Sequence, residues 1–503
     1  MADTRNTRAK KNIVVSLLCQ FVTLICGFIV PRLLLEAFGS ETYGATSSIA
    51  QFLAYITLLE GGIGGVARAV LYKPLAENDR KTISAIMAEV RRFFRGIAFI
   101  FAGYVLILAC GFKELSGLES LDWITTFVLV IVISISTFGQ YFIGISNAVL
   151  LQAAQRVYVT NVVNIVTTLI NAVGVVILTA MDCHIITVKL VSSVIFFMRP
   201  VALWLYVRRL YRLQPVAKQG KIYLTQKWSG LGQHLAFFLH SNTDVVVLTC
   251  LADLRAVAVY SVYNMIVSNM QNLAVSFVSG MEALFGDMLA REEYDRLHQT
   301  FGCYETIISA ASIVLFATAA VLIVPFVRLY TAGLTDSNYY EPVFAVLLIL
   351  AALLYCLRMP YHSLIIAAGH FRQTSAAAYS EAAINILLSV VLVSDFGLPG
   401  VALGTLVATG FRFVYYVWYL SKHIFNRNMA MFWKRLSINA FGFGMIFALG
   451  SMVVSCFDID NYLIWAACGF VVAGIASVTM LAFIVLFYRN DCRMLLSKFK
   501  GKQ

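Results

Sequence analysis

Ten ionisable residues stand inside long apolar runs of this chain. The cations are Arg32, Arg68, Lys189, Arg199, Arg358 and Arg412, and the acids are Glu60, Asp244, Glu282 and Glu381. A charge at bilayer depth costs about 2.5–3.5 kcal/mol on insertion scales, so these residues must face a watery cavity or one another. Arginine carries a planar fork of donors that matches phosphate oxygens in two-point contacts. A cavity lined with Arg32, Arg68, Arg199, Arg358 and Arg412 therefore points to an anionic passenger, whereas a path for metal ions or cationic drugs would favour acids. Arg199, Arg358 and Arg412 are the deepest of the five and stand toward the inner half, where a passenger loaded from the cytoplasm meets them early. Asp244, Glu60, Glu282 and Glu381 are the candidate coupling or cavity acids.

Simpler readings compete with these. Arg32, Arg68, Lys189 and Glu282 lie near the ends of apolar runs, where long side chains snorkel to the interface. Arg32 and Glu36 are four apart and can pair along one helix. A deep arginine can also pair with an acid such as Asp244 and merely hold helices together. His362 follows Arg358 by one turn and reads best as a satisfied buried histidine. Tyr263, Phe277, Tyr355 and Tyr361 could stack on sugar rings, though aromatics in apolar runs mostly pack.

The stretch "LEGGIGGVARAV" (Leu59–Val70) joins Glu60 and Arg68 across four glycines. Eight residues of helix span about 12 Å, so the two charges share a broad face without touching. Gly61 and Gly65 form a small-xxx-small pair that lets a neighbouring helix approach closely. Pro31, beside Arg32, supplies a comparable hinge in the preceding run.

The elements that position these residues follow from composition. The chain of 503 residues is 60% hydrophobic and 13% charged, against about 25% charged in soluble domains. Apolar runs of about 20 residues, enough to span a bilayer, recur along its length. Unbroken runs argue for helices rather than the short alternating strands of a barrel. We read an all-α polytopic membrane protein of about fourteen spans: roughly 13–35, 45–70, 94–111, 123–149, 159–181, 185–206, 229–250, 257–285, 304–327, 343–366, 375–394, 399–420, 436–456 and 462–487.

Orientation follows from the basic residues, of which there are 38. With the N-terminus inside, 29 fall in inner segments and three (Lys113, Arg255 and Arg328) in outer loops, as the positive-inside rule requires. Both termini are thus expected in the cytoplasm, and the basic N-terminus reads as an uncleaved first span. The same rule accounts for the net charge of +12 without nucleic acid.

The longest inner segment, about Val207 to Trp228, is basic and divides the first twelve spans six and six. "FGSETYGATSSI" (Phe38–Ile49) and "ADLRAVAVYSVY" (Ala252–Tyr263) occupy matching places in the two halves. An even number of spans per half makes this a parallel repeat with the substrate path between the lobes. The expected organisation is an N-lobe over 1–215, a C-lobe over 216–425, and two additional spans with a basic tail over 426–503.

Catalysis is not indicated. There is no large outer loop, paired-carboxylate, phosphate-cradling glycine loop, zinc-protease or nucleophile-elbow motif, and no Cys-x-x-Cys pair. Neither a metal nor a cofactor is expected. A membrane polymerase or glycosyltransferase is the alternative from another class, and an ion-coupled multidrug exporter the alternative among transporters.

Four segments carry a family resemblance: "LEGGIGGVARAVLYKPLAENDRKTISAIM" (Leu59–Met87), "HLAFFLHSNTDVVVLTCLADLRAVAVYSVYNMIVS" (His234–Ser268), "LRMPYHSLIIAAGHFRQTSAAAYSEAAIN" (Leu357–Asn385) and "GLPGVALGTLVAT" (Gly397–Thr409). They resemble polysaccharide and O-antigen flippases of the multidrug/oligosaccharidyl-lipid/polysaccharide exporter superfamily, over almost the whole chain to about His423. Asp244 falls where that family's seventh helix commonly has an acid or polar residue, and Arg32 where its first helix often has an arginine. The resemblance implies two six-helix lobes, alternating access, and a bacterial plasma-membrane location. It implies transfer of an undecaprenyl-pyrophosphate-linked oligosaccharide to the outer leaflet, for cell-surface polysaccharide. Membrane lipids, a Na+ or H+ coupling ion and polysaccharide-assembly proteins are the further partners it implies.

Overall fold

The computed structural model describes residues 2–60, 63–211, 242–276, 281–425 and 427–488. Among these the chain is helical throughout, with no strand. The elements are α1 (Ala2–Ala54), a 3-10 turn (Tyr55–Glu60), α2 (Ile63–Glu77), α3 (Arg80–Ser116), α4 (Trp123–Gly139), a π turn (Gln140–Gly144), α5 (Ile145–Ala153), α6 (Val157–Ala180) and α7 (Ile185–Tyr211). They continue with α8 (Asn242–Leu251), α9 (Leu254–Ser276), α10 (Met281–Ala290), α11 (Tyr294–Tyr330), α12 (Pro342–Ala367), α13 (Phe371–His423), α14 (Met429–Ser455) and α15 (Tyr462–Phe487).

Ten stretches among the described residues are helices long and apolar enough to cross a membrane. Two of them, Lys10–Glu60 and Gln373–His423, run to 51 residues because each contains two spans joined at a glycine. Gly39 (φ 77°, ψ 169°) breaks α1 and Gly397 (φ 57°, ψ −129°) breaks α13. Both conformations lie in regions that only glycine enters readily. The eighth span is α9 followed by α10, and the seventh is described only from Asn242. Over its described residues, each of the fourteen expected spans thus falls on helix.

Helix ends carry the expected local chemistry. Asp79 accepts hydrogen bonds from the Lys81 and Thr82 amides to cap α3, and Asn428 and Asn461 cap α14 and α15. Gly117 closes α3 in the left-handed region.

The chain forms two compact units, Met1–Ala258 and Val259–Gln503. The expected lobe boundary near 215 lies in a segment outside the described residues, and α8 belongs to the first unit. Ser48 and Thr249 share a 2.7 Å hydrogen bond and Gln51 bonds Asn242, tying α8 to α1. In the second unit α11 packs along α12, α14 and α15. The two C-terminal helices are therefore integral to that unit. Trp465 donates from its ring nitrogen to the Leu322 carbonyl, and Gly450 admits Val321 and Val472.

Candidate functional site

Pro31 sits in unbroken helix, and α1 breaks eight residues later at Gly39, where the chain lacks a Cβ to resist it. The second span changes helix type just before the glycines. Its α-helix gives way to a 3-10 turn ending at Glu60 and resumes at Ile63. Gly61 lies outside the described residues. Gly65 is not a close-packing position: a Cβ there would meet only Arg68 Nη2, at 3.9 Å. Gly44 is such a position, because a Cβ there would collide with the Leu254 carbonyl, and so is Gly139, against Phe197.

Gly65 lines a cavity of about 730 Å³ in the first unit. Glu60, Arg68, Gln140, Tyr141, Gln152 and Arg199 supply most of its polar wall. These come from the broken second span, the π turn and α5 of the fourth, and α7. Arg199 precedes Pro200, which interrupts the α7 hydrogen-bond ladder. Its Nε donates to Thr167 Oγ1 at 2.7 Å and its Nη2 to Thr168 Oγ1 at 2.8 Å, while its plane lies 4.2 Å from the Phe196 ring centre. Arg68 Nη1 donates to Gln152 Oε1 at 2.7 Å. Each guanidinium has five donors, so both retain unused donors beside the cavity; among the described residues no carboxylate pairs with either. Glu60 accepts from the Tyr141 hydroxyl at 2.6 Å. The π turn packs Gly139 and Gly144 against Phe197 and Pro200, fixing the wall beside Arg199.

Arg358 and Arg412 are arranged differently. Both converge on Glu381, which is fully buried: Arg358 Nη1 donates to Oε1 at 2.6 Å and Arg412 Nη1 to Oε2. Arg412 Nη2 also donates to Tyr416 at 2.8 Å, and Arg358 lies 4.7 Å from the centre of Tyr355. Their exposures are 2% and 8%, so no passenger reaches them in this conformation. The acid that partners them is Glu381 rather than Asp244, which stands on α8 in the first unit. His362 is half-buried and stacks on Tyr416.

Asp244 is 5% exposed and neighbours Thr243, whose side chain bonds Tyr55. Arg32 pairs with Glu36 at 3.7 Å along one helix face. Lys189 is half-buried near the start of α7, and Glu282 is exposed in the first turn of α10, where a carboxylate suits the helix dipole. Tyr263 and Tyr361 are packed side chains with bonded hydroxyls, and Phe277 lies outside the described residues.

One buried acid was not among the sequence candidates. Glu305 on α11 is 4% exposed and accepts from Tyr361, from Arg435 Nη1 at 3.0 Å, and lies 3.6 Å from Arg427 Nη1. Its partners come from α12, from the segment after α13, and from α14. It stands one residue inside an apolar run, so its location looks like an ordinary span end. The signal that it is buried is the pair of arginines far along the chain. Among the described residues no group of His, Cys, Asp or Glu is arranged to hold a metal.

No protein-family model matches the sequence, and no curated protein does either. Solved structures do match. A lipid II flippase MurJ in an inward closed conformation superposes with a TM-score of 0.70 at 13% identity, over 95% of this chain and 99% of that one. An inward-facing multidrug resistance MATE family transporter of the MOP superfamily gives 0.57 at 13%, over 81% and 98%. The Vibrio cholerae MATE transporter VcmN, in a mutant form, gives 0.53 at 14%, over 83% and 98%. The near-complete coverage shows that this chain shares the fold of these structures.

Proposed function

We propose that the protein flips an undecaprenyl-pyrophosphate-linked oligosaccharide across a bacterial plasma membrane by alternating access, for cell-surface polysaccharide assembly. The observation that carries this reading is the first-unit cavity, in which Arg68 and Arg199 keep unused donors. Two guanidinium forks beside a polar cavity suit a pyrophosphate. The role of holding it passes from Arg358 and Arg412, which Glu381 occupies, to Arg68 and Arg199. A volume of about 730 Å³ is within the range of ligand pockets, and hydroxyls and amides of Ser136, Thr137, Gln140 and Gln152 are placed for the first sugars. Glu60, hydrogen-bonded to Tyr141, is the cavity acid positioned to take a coupling ion.

The test is flipping of a fluorescent lipid-linked saccharide in liposomes. Arg68→Ala and Arg199→Ala should each abolish most transport while the protein inserts and folds. The lysine variants keep charge without the fork and should fall between. Unchanged transport in both alanine variants would sink the assignment.

A multidrug exporter of the same fold is the second reading, favoured by the MATE structures. A cavity with two cations and one acid repels the cationic dyes such an exporter would carry. Proteoliposomes that move a cationic dye, but no lipid-linked saccharide, would decide for it. Cytoplasmic termini are part of the proposal, and reporters fused after Gln503 should be active only as cytoplasmic reporters.

A further inference from the structure

Of the three cations assigned to outer loops, Lys113 is engaged: its Nζ donates to the Leu121 carbonyl at 2.7 Å. Arg328, in the last turn of α11, faces instead a recess of about 430 Å³ formed where the loop 331–341 folds back over the helix end. Thr331, Ser337, Asn338, Tyr339 and Tyr340 line it with Arg328. The recess is preorganised. Gly333 turns the chain at φ 88°, a conformation side chains resist. The fully buried Tyr263 donates its hydroxyl to the Tyr339 carbonyl at 2.8 Å and accepts from the Glu341 amide at 3.3 Å, pinning the far wall from α9. Asn338 Oδ1 accepts from the Tyr340 amide at 3.0 Å, which leaves its NH2 group as donor. Among the described residues no carboxylate pairs with Arg328, and neither acid of this loop, Asp336 or Glu341, lines the recess.

Such a site takes one small anion with hydroxyls around it. The volume suits one or two sugar rings and lies in the range of ligand pockets. Arg328 offers a carboxylate a two-point contact. Ser337 and Asn338 offer partners to ring hydroxyls, Thr331, whose hydroxyl donates to the Val327 carbonyl at 2.8 Å, offers an acceptor, and Tyr340, 64% exposed at the rim, offers a flat face. A purely electrostatic contact with lipid headgroups needs no such hydroxyl- and amide-lined recess.

We propose that this recess is a binding site for an acidic saccharide, with the sugar carboxylate held by Arg328 and its hydroxyls by Thr331, Ser337 and Asn338. It rests on the proposed function in one respect: the saccharide belongs to the passenger, met on the outer face after crossing.

Binding is measured on the full chain in nanodiscs of zwitterionic lipid, titrating glucuronate against glucose by saturation-transfer NMR. Glucuronate should bind at least tenfold tighter than glucose. Arg328→Ala should remove that preference, Arg328→Lys should retain part of it, and Ser337→Trp should block the recess sterically. Equal binding of the two sugars would overturn the proposal, as would an unaltered preference in Arg328→Ala and Ser337→Trp. Loss of glucuronate on adding phosphatidylglycerol would make the recess a lipid headgroup site instead. Binding that survives Arg328→Ala but vanishes in Arg68→Ala would place the sugar in the transport cavity. Failure of flipping with intact, Arg328-dependent glucuronate binding would count against the proposed function alone.

Discussion

The two units place arginines in apolar helices and compensate their charge in opposite ways. In the first, Arg68 and Arg199 border open space and bond only to neutral groups, Gln152, Thr167 and Thr168. In the second, Arg358 and Arg412 close over Glu381, and Arg427 and Arg435 gather at Glu305. A cation that borders a cavity keeps its water and its donors and is free to meet a ligand. A cation closed over a carboxylate is desolvated and already answered. Lying within an apolar span does not distinguish the two kinds; the identity of the partner does.

The comparison is most exposed at Glu381. Removing one member of a buried ion pair costs about 3–5 kcal/mol, because the remaining charge is left uncompensated. Glu381→Ala leaves two guanidinium groups so stranded and should greatly reduce folded protein, seen as loss of the monodisperse peak after detergent extraction. Replacing all three residues (Arg358→Met, Glu381→Leu and Arg412→Met) should restore folding and much of the transport. A Glu381→Ala protein that folds normally but cannot transport would erase the distinction between the units.

Arg199→Ala should do the reverse. Its loss removes charge-assisted contacts worth about 1.5–3 kcal/mol each, a drop in passenger affinity of roughly tenfold to a hundredfold. Thermal stability should hardly change, since only threonines are left behind. A large fall in melting temperature would mean that Arg199 is structural like Arg358.

The glycines sharpen the contrast. Gly65→Leu projects into the cavity and should lower transport by occlusion at near-normal stability. Gly44→Ala forces α1 off the Leu254 carbonyl and should lower stability first. Thermal shift and flipping measured on both variants would separate them.

The smallest effect is expected at Asp79, far from either cluster. Hydrogen bonds from Thr82, side chain and amide, hold its carboxyl below the usual carboxylate range. A carboxylate favoured in this way stabilises the folded state at neutral pH, and that contribution disappears as pH falls through the carboxylate range. Asp79→Ala should give a small drop in melting temperature at pH 7 that vanishes in acid.

Much of the fold was legible in the sequence. Runs near 20 apolar residues placed the spans that the described residues cover, because bilayer thickness leaves little choice of length. The partners of the charges were not. Arg358 and Arg412 lie 23 and 31 residues from Glu381, beyond any helical pairing rule, and Arg435 lies 130 from Glu305. Nor does sequence say whether a glycine makes room for a helix, as Gly44 does, or for a cavity, as Gly65 does. Both depend on what the fold brings opposite them.

The Glu305 cluster has a consequence for how the protein is made. Ribosomes add about 5–20 residues per second, so Arg435, made 130 residues after Glu305, follows it by roughly 6–26 s. For most of that interval the rest of α11, α12 and α13 are synthesised and Glu305 has neither arginine to answer it. It must remain at the water interface or be sheltered by the insertion machinery until the C-terminal helices arrive. Synthesis halted after α13 would leave that acid without its arginines, so the last two helices set when the second unit can close as well as how it is held.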